Sequence, residues 1–386
     1  MKKALMVASV ASMIDLFNMN NIEILQKLGY EVHVACNFEE GSITSKERVI
    51  EFKKELKTKK IKYFHIPIPR NIFKFPKILT SRFLLKKLIT QNNYNLIHCH
   101  SPIGGVVARS AAKKFRKGGL RVIYTAHGFH FFKGSPIKNW ILFFPIEKYY
   151  SKYTDLLITI NKEDYKLANK KLHSKYNKYV PGIGIDVNSI SKQNFDKSDM
   201  LHELGLNEND FIITSVGQLS VRKNHQIIIK SLPLLENKKI KYIICGLGEL
   251  ETELKKLAEN LGVSEQVVFT GYRQDVSKIL SISDCFAFPS LQEGLPVALM
   301  EAMAIPLPII CSNIRGNKDL IINEENGFLV NKNKVELYVD AIKKLFENNN
   351  LRENIKKNNM KRINNYDTQK INQKMYTIYK DKMFSN

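Results

Sequence analysis

The sequence predicts an α/β protein made of two Rossmann-like domains, each a doubly wound parallel sheet. Short runs rich in Val, Ile and Leu alternate with stretches of helical periodicity along the whole chain, and strands joined through helices pair in parallel. The runs are almost unbroken in apolar residues, as strands covered on both faces require. Eleven of them are too many for one doubly wound sheet. A length of 386 residues is also a two- or three-domain length at ~150 residues per domain.

In order, strands are expected at 5–8, 32–35, 96–99, 122–125 and 156–160, then at 211–216, 242–245, 267–270, 285–289, 307–311 and 327–330. Met1-Lys2-Lys3 followed by apolar residues 4–14 has the form of a short secretory signal. The helical pattern of 20–28, then Gly29-Tyr30 and a strand over 31–35, make 3–9 the first strand instead. The cadence is interrupted at 181–196 by Pro-Gly-Ile-Gly and a polar stretch. This gives an N-terminal domain over 1–185 and a C-terminal domain over 186–365, with a last helix over 366–386 packing back onto the first. No segment reaches the ~20 apolar residues of a membrane span. In open α/β sheets ligands sit beyond the carboxyl ends of the strands, so a central cleft faced by the two domains is the expected active site.

Composition is that of a globular protein, 44% hydrophobic and 25% charged. The five cysteines (36, 99, 245, 285, 311) are scattered, odd in number and without a C-x-x-C, which favours buried thiols in a reducing cytoplasm over a disulfide framework. The net charge of +23 is lopsided. Residues 1–190 hold 33 Lys and Arg against 13 Asp and Glu, whereas 191–386 hold 27 against 24. A basic half attracts a polyanion: nucleic acid, an anionic membrane or a phosphorylated lipid. Residues 70–87 interleave Lys and Arg with Phe, Ile and Leu, a pattern suited to a membrane interface. Phe129–Phe132 and residues 140–144 could add an apolar rim.

The segment 289–304 carries the most chemistry. A strand ends at Pro289, a Gly-containing loop follows, and Pro296 stands where a helix begins, a favoured first helical position. Free N–H groups of that first turn favour an anion. Glu293 in the loop and Glu301 in the helix are natural acceptors for hydroxyls. His98 and His100 share one face of a strand but have no third ligand nearby for a metal. Gly246-x-Gly248 lacks the third glycine of a dinucleotide fingerprint and reads as a strand–helix turn.

Glu293 and Glu301, with seven residues between them inside E-G-L-P-V-x-L-x-E-A-M-A, resemble the E-x7-E signature of glycosyltransferase family 4. Other segments agree in order: Val216-Gly217-Gln218-Leu219 with Arg222-Lys223-Asn224, Cys245-Gly246-Leu247-Gly248-Glu249, and Phe269-Thr270-Gly271-Tyr272. Tyr124-Thr125-Ala126-His127-Gly128-Phe129-His130-Phe131 and Arg315-Gly316-Asn317-Lys318-Asp319-Leu320 are similar to capsule and exopolysaccharide enzymes within that family. The resemblance implies the GT-B fold and a retaining, metal-independent transfer with a nucleotide-sugar as co-substrate and no cofactor. It implies that Glu293 contacts the donor sugar, Glu301 the ribose and Lys223 the diphosphate, with Gly294, Leu295 and Pro296 at the sugar and phosphates. Gly217, Gln218 and Arg222 would lie by the diphosphate, Tyr272 and Arg273 by the base, and His127 by the reacting carbon. Ser9 and His100 fall on the acceptor side. Gln218 replaces the family's usual Arg, and Pro306 replaces a usual Gly.

The expected activity is transfer of a sugar, an N-acetylhexosamine by family habit, from a UDP-sugar to a polyprenyl-diphosphate-linked saccharide in capsule, exopolysaccharide or related cell-surface glycan synthesis. The expected partners are that donor, that acceptor and an anionic membrane surface, with no nucleic acid, and the expected place is the inner face of the cell membrane. Two other classes remain open at this point: a nucleotide-sugar epimerase or phosphorylase on a similar fold, and a basic nucleic-acid-binding protein, which leaves Glu293 and Glu301 without a purpose.

Overall fold

The computed structural model describes residues 1–42, 44–191 and 195–381. The chain divides into two compact units: Met1–Gly184 together with the chain from Gln369 onward, and Ile185–Thr368.

The first unit carries seven strands: β1 (Lys2–Val10), β2 (Tyr30–Asn37), β3 (Lys62–His65), β4 (Leu96–His100), β5 (Arg121–Ala126), β6 (Leu156–Thr159) and β7 (Tyr176–Tyr179). Their order is β3-β2-β1-β4-β5-β6-β7, every pair parallel. The central strand shows why its sequence is unbroken in apolar residues. Ala4, Met6 and Ala8 enter one buried layer with Val32 and Val34, while Leu5 and Val7 enter the opposite layer with Ile97 and Tyr124. The edge strands β3 and β7 are partly exposed and polar. They lie outside the expected strands because an edge has little apolar surface to bury.

One layer is completed from far along the chain. Ile371, Met375, Ile378 and Tyr379 of the helix Thr368–Lys380 pack with β1 and β2 residues, and His98 Nδ1 lies 2.6 Å from Tyr379 Oη. Tyr366 and Asp367 stay with the second unit: Tyr366 Oη donates to Asp319 O over 2.6 Å, and Asp367 bridges Ile185. The opposite layer holds a fully buried ion pair, Arg109 Nη2 to Glu147 Oε2 at 3.0 Å, with the guanidinium 4.1 Å from the Tyr124 ring centre. The expected apolar rim is corrected here. Phe129 and Phe131 are only 4% and 2% exposed and stack on each other inside this layer, so they are core.

The second unit carries six strands: β8 (Phe211–Val216), β9 (Ile240–Cys245), β10 (Val267–Gly271), β11 (Cys285–Phe288), β12 (Ile309–Ser312) and β13 (Phe328–Val330). All pairs are parallel in the order β10-β9-β8-β11-β12-β13. The strand expected from 307 starts at Ile309, after Pro308, which has no N–H for the ladder. All five cysteines are buried and free. Each sheet reverses its winding once, between β1 and β4 and between β8 and β11. Loops leaving neighbouring strands there diverge, opening a crevice at the carboxyl ends.

Candidate functional site

In the second unit the crevice lies beyond β8 and β11. The loop after β8 delivers Lys223, and the loop after β11 delivers Glu293. Lys223 Nζ donates to Glu293 Oε1 over 2.9 Å, and Arg222 Nη1 donates to the same oxygen over 2.8 Å. Both side chains of the first pair are 11% exposed, whereas Arg222 is 46% exposed. Burial pulls the Lys223 ammonium below its ordinary pKa, and the Glu293 carboxylate pushes it back up. The ammonium also sits 4.4 Å from the Phe288 ring centre.

Local sequence explains this placement. Asn224 adopts positive φ (56°), a region Asn tolerates better than most residues. Its Nδ2 reaches Pro289 O at 3.3 Å and Lys332 O at 3.2 Å, tying one loop to the other. Gly217 leaves room for the lysine stem: a Cβ there would meet Lys223 Cε at 2.8 Å. A Cβ on Gly246 would meet Gly217 O at 2.1 Å. The Gly246-x-Gly248 turn is thus a place where two backbones touch.

Arg315 Nε donates to Glu293 O over 3.1 Å and fixes the Glu293 loop from the β12 side. Gly294 is half-buried, and Leu295 and Pro296 are buried. Pro296 is the residue before the helix Val297–Ala304, one position earlier than its expected first helical place; its extended ψ of 122° leads the chain into the turn. Glu301 lies on that helix, partly buried, and burial raises its carboxyl pKa. Gln218 is exposed. Tyr272 is 72% exposed. Arg273 is held by Asp275, with Nη2 to Oδ2 at 2.8 Å, and by Glu203.

In the first unit the crevice lies beyond β1, β4 and β5. His127 follows β5, and its Nε2 lies 3.2 Å from His100 Nδ1 at the end of β4. The other nitrogen of His100 meets Met6 Sδ at 3.1 Å. His98 Nε2 is 2.8 Å from Thr125 Oγ1. Burial lowers all three imidazoles: His98 to about 3, His127 to about 4, and His100 well below its ordinary value. All are neutral at pH 7, so one member of the His100–His127 pair donates and the other accepts. The His127 loop is anchored by Asp164, whose Oδ2 accepts from Phe129 N at 3.0 Å and Asn161 Nδ2 at 2.9 Å. Ser9 is buried at the end of β1; its Oγ is 2.7 Å from Ser101 Oγ and accepts from Gly104 N at 3.0 Å. His100 is 1% exposed and reaches the crevice through His127.

The structure therefore brings Lys223, Arg222, Glu293 and Gly217 together in one unit, and His127, His100 and Ser9 in the other. Sequence reasoning missed Arg315 as the clamp on the Glu293 backbone, Asn224 as the loop tie, Asp164, and Ser101. Of these, Asn224 and Arg315 carried a signal, since each sits inside a recognised segment, though neither segment gave its role. Among the described residues no group of three His, Cys, Asp or Glu is arranged to hold a metal ion.

Two family descriptions match the chain: glycosyl transferase 4-like over residues 5–161, and glycosyl transferases group 1 over residues 196–362. The putative glycosyltransferase EpsD of Bacillus subtilis (strain 168) is 35% identical over 349 residues, 89% of this chain and 87% of that protein. The UDP-Gal:alpha-D-GlcNAc-diphosphoundecaprenol alpha-1,3-galactosyltransferase of Escherichia coli is 29% identical, covering 94% and 92%. The crystal structure of Anabaena Alr3699/HepE in complex with UDP-glucose superposes with a TM-score of 0.76 at 19% identity, covering 98% and 99%; that likeness shows the shared GT-B fold. The chain is a glycosyltransferase and belongs to family 4, with a glycosyl transferase 4-like first unit and a group 1 second unit.

Proposed function

We propose that this glycosyltransferase moves a sugar, an N-acetylhexosamine, from a UDP-sugar to a polyprenyl-diphosphate-linked saccharide, in assembly of a capsule, exopolysaccharide or related cell-surface glycan. The observation that carries the reading is the Lys223–Glu293 pair at the β8/β11 crevice. A departing nucleoside diphosphate gains negative charge, and a fixed ammonium in a half-buried site stabilises that charge far better than water does. Glu293 is doubly anchored through its Oε1 and its backbone carbonyl, which leaves Oε2 to accept a sugar hydroxyl. The name of the Escherichia coli relative, with its UDP-Gal donor and diphosphoundecaprenol acceptor, supports the donor and acceptor classes.

In this reading the second unit holds the donor, with Glu301 on the ribose, and the first unit holds the acceptor near His127. His127, neutral at pH 7, presents Nδ1 as a hydrogen-bonding group rather than a cation. Transfer proceeds with retention and without a metal, the leaving phosphate taking the acceptor's proton. Attachment to the inner face of the membrane is peripheral: among the described residues no helix is long and apolar enough to cross a bilayer. Phe73, Phe75, Leu79 and Phe83 are each 60–66% exposed beside exposed Lys74, Arg82, Lys86 and Lys87.

A donor panel tests the reading. UDP-N-acetylglucosamine, UDP-N-acetylgalactosamine, UDP-galactose, UDP-glucose and GDP-mannose are incubated with lipid-linked acceptors, with and without EDTA, and nucleotide release and product anomer are followed. Release of UDP that requires the lipid-linked acceptor and survives EDTA is expected. Release dependent on inorganic phosphate, or an inverted product, overturns it.

A further inference from the structure

We infer that the first unit contains a chamber for the hydrocarbon tail of an isoprenoid diphosphate, an inference that rests on the lipid-linked acceptor proposed above. Between the sheet and the helices Phe75–Asn92, Pro102–Ala112 and Ile137–Ser151 lies a cavity of about 880 Å³, large for a small-molecule site. Its walls are mostly apolar: Ile72 and Ile78 on one side, Ile103 and Val106 on the second helix, Phe143 on the third, and Phe131 from the loop after β5. Several polar side chains in the wall already have partners. Ser9 is bonded to Ser101 and Gly104, and Glu147 to Arg109. A sugar placed deep inside would leave hydroxyls unsatisfied, whereas an alkyl chain gains with every CH₂ it buries.

Two features choose an isoprenoid diphosphate over other apolar molecules. At one end the cavity is lined by Ser9, Ser101 and Gly128, at the carboxyl ends of β1, β4 and β5, where a headgroup would be handed to the site. At the other, Phe75 belongs both to the wall and to the exposed apolar face, being 60% exposed. Arg70 also lines the cavity and stands near the first end: its Nη1 donates to Gly41 O over 3.0 Å, and a Cβ on Gly41 would meet both Arg70 Cδ at 2.9 Å and Val10 Cγ1 at 3.0 Å, which places a cation beside the headgroup. The diphosphate would then stand by Arg70 and Ser9 while the tail runs along the apolar walls toward Phe75.

The chain has one tryptophan, Trp140, whose ring lies 5.6 Å from the wall residue Phe131. Its emission therefore reports filling of the chamber. The full-length protein is titrated with geranyl, farnesyl and geranylgeranyl diphosphate, with inorganic diphosphate, and with geranylgeraniol. The expected result is a Trp140 change whose Kd falls at least tenfold from the C10 to the C20 diphosphate and is weaker for the uncharged alcohol. Val106→Phe, which fills the chamber, should weaken C20 binding at least tenfold while the unfolding midpoint stays near that of wild type. An affinity independent of chain length, an alcohol that binds as tightly as its diphosphate, or wild-type binding by Val106→Phe overturns the chamber. If Val106→Phe does not fold, the chain-length and alcohol comparisons on wild type still decide. Chain-length-dependent binding without acceptor-dependent UDP release leaves the chamber standing and removes the acceptor reading; the converse removes only the chamber.

Discussion

Lys223 Nζ and Glu293 Oε1 lie 2.9 Å apart in a pair whose side chains are both 11% exposed. Arg222, at 46% exposure, shares the same carboxylate oxygen. The two cations are not equivalent: only Lys223 is held where water is scarce, so under the proposed function it is the one expected to matter more to the diphosphate. Lys223→Met should lower kcat/KM with the best donor roughly 10- to 150-fold, the loss of a charge-assisted hydrogen bond of ~1.5–3 kcal/mol. Arg222→Gln should cost less than tenfold. Steady-state nucleotide release on both variants checks the ranking, and equal losses would contradict it.

The two glycines of the crevice should fail differently. A Cβ at Gly217 meets the flexible Lys223 stem, whereas a Cβ at Gly246 meets the Gly217 carbonyl at 2.1 Å. Gly217→Ala is expected to weaken UDP binding, with a smaller loss of stability that comes from its φ of 155°. Gly246→Ala is expected to lose about 2–4 kcal/mol of stability, since two backbones must separate. Urea unfolding and UDP titration side by side distinguish the outcomes.

Burial depresses His98 to about 3 and His127 to about 4. Between those values and the ordinary value near 6.5 the unfolded chain binds protons that the folded chain does not. Stability is therefore fully present above pH ~6.5 and is lost as pH falls from there toward pH ~4, by up to ~1.4 kcal/mol per pH unit per histidine. His98→Gln should flatten that limb. Urea midpoints at pH 7, 6 and 5 measure it, and an unchanged slope would show that the imidazole does not set it.

Replacing Lys74, Arg82, Lys86 and Lys87 together with Gln should weaken binding to anionic vesicles by about 4 kcal/mol, ~1 kcal/mol per charge, or roughly a thousandfold. Binding to the wild type should fall with added salt. Sedimentation with phosphatidylglycerol vesicles reads both effects.

The parallel sheets were legible because central strands bury both faces and so show as unbroken apolar runs. The edges β3 and β7 were not, because KYFH and YNKY bury too little to leave a pattern. Glu293 and Glu301 stood out because a loop and a helix start hold them at fixed spacing, and Lys223 only through the resemblance of its segment to the family. The clamping bonds of Arg315 and Asp164 reach backbone atoms distant in sequence, and such bonds impose no local spacing. The cavity is less legible still, for its walls come from three helices and several strand ends.

The helix Thr368–Lys380 belongs to the first unit although about 180 residues of the second are inserted before it. On the ribosome this sets an order of events. The second unit has all its strands, the last ending at Val330, well before Tyr379 is made. The first unit must wait with one layer incomplete, His98 lacking its Tyr379 partner, until Ile371, Met375, Ile378 and Tyr379 arrive. A half-made chain therefore exposes the inner layer of its basic unit, and that interval, rather than the finished enzyme, is when the nascent protein most needs a chaperone.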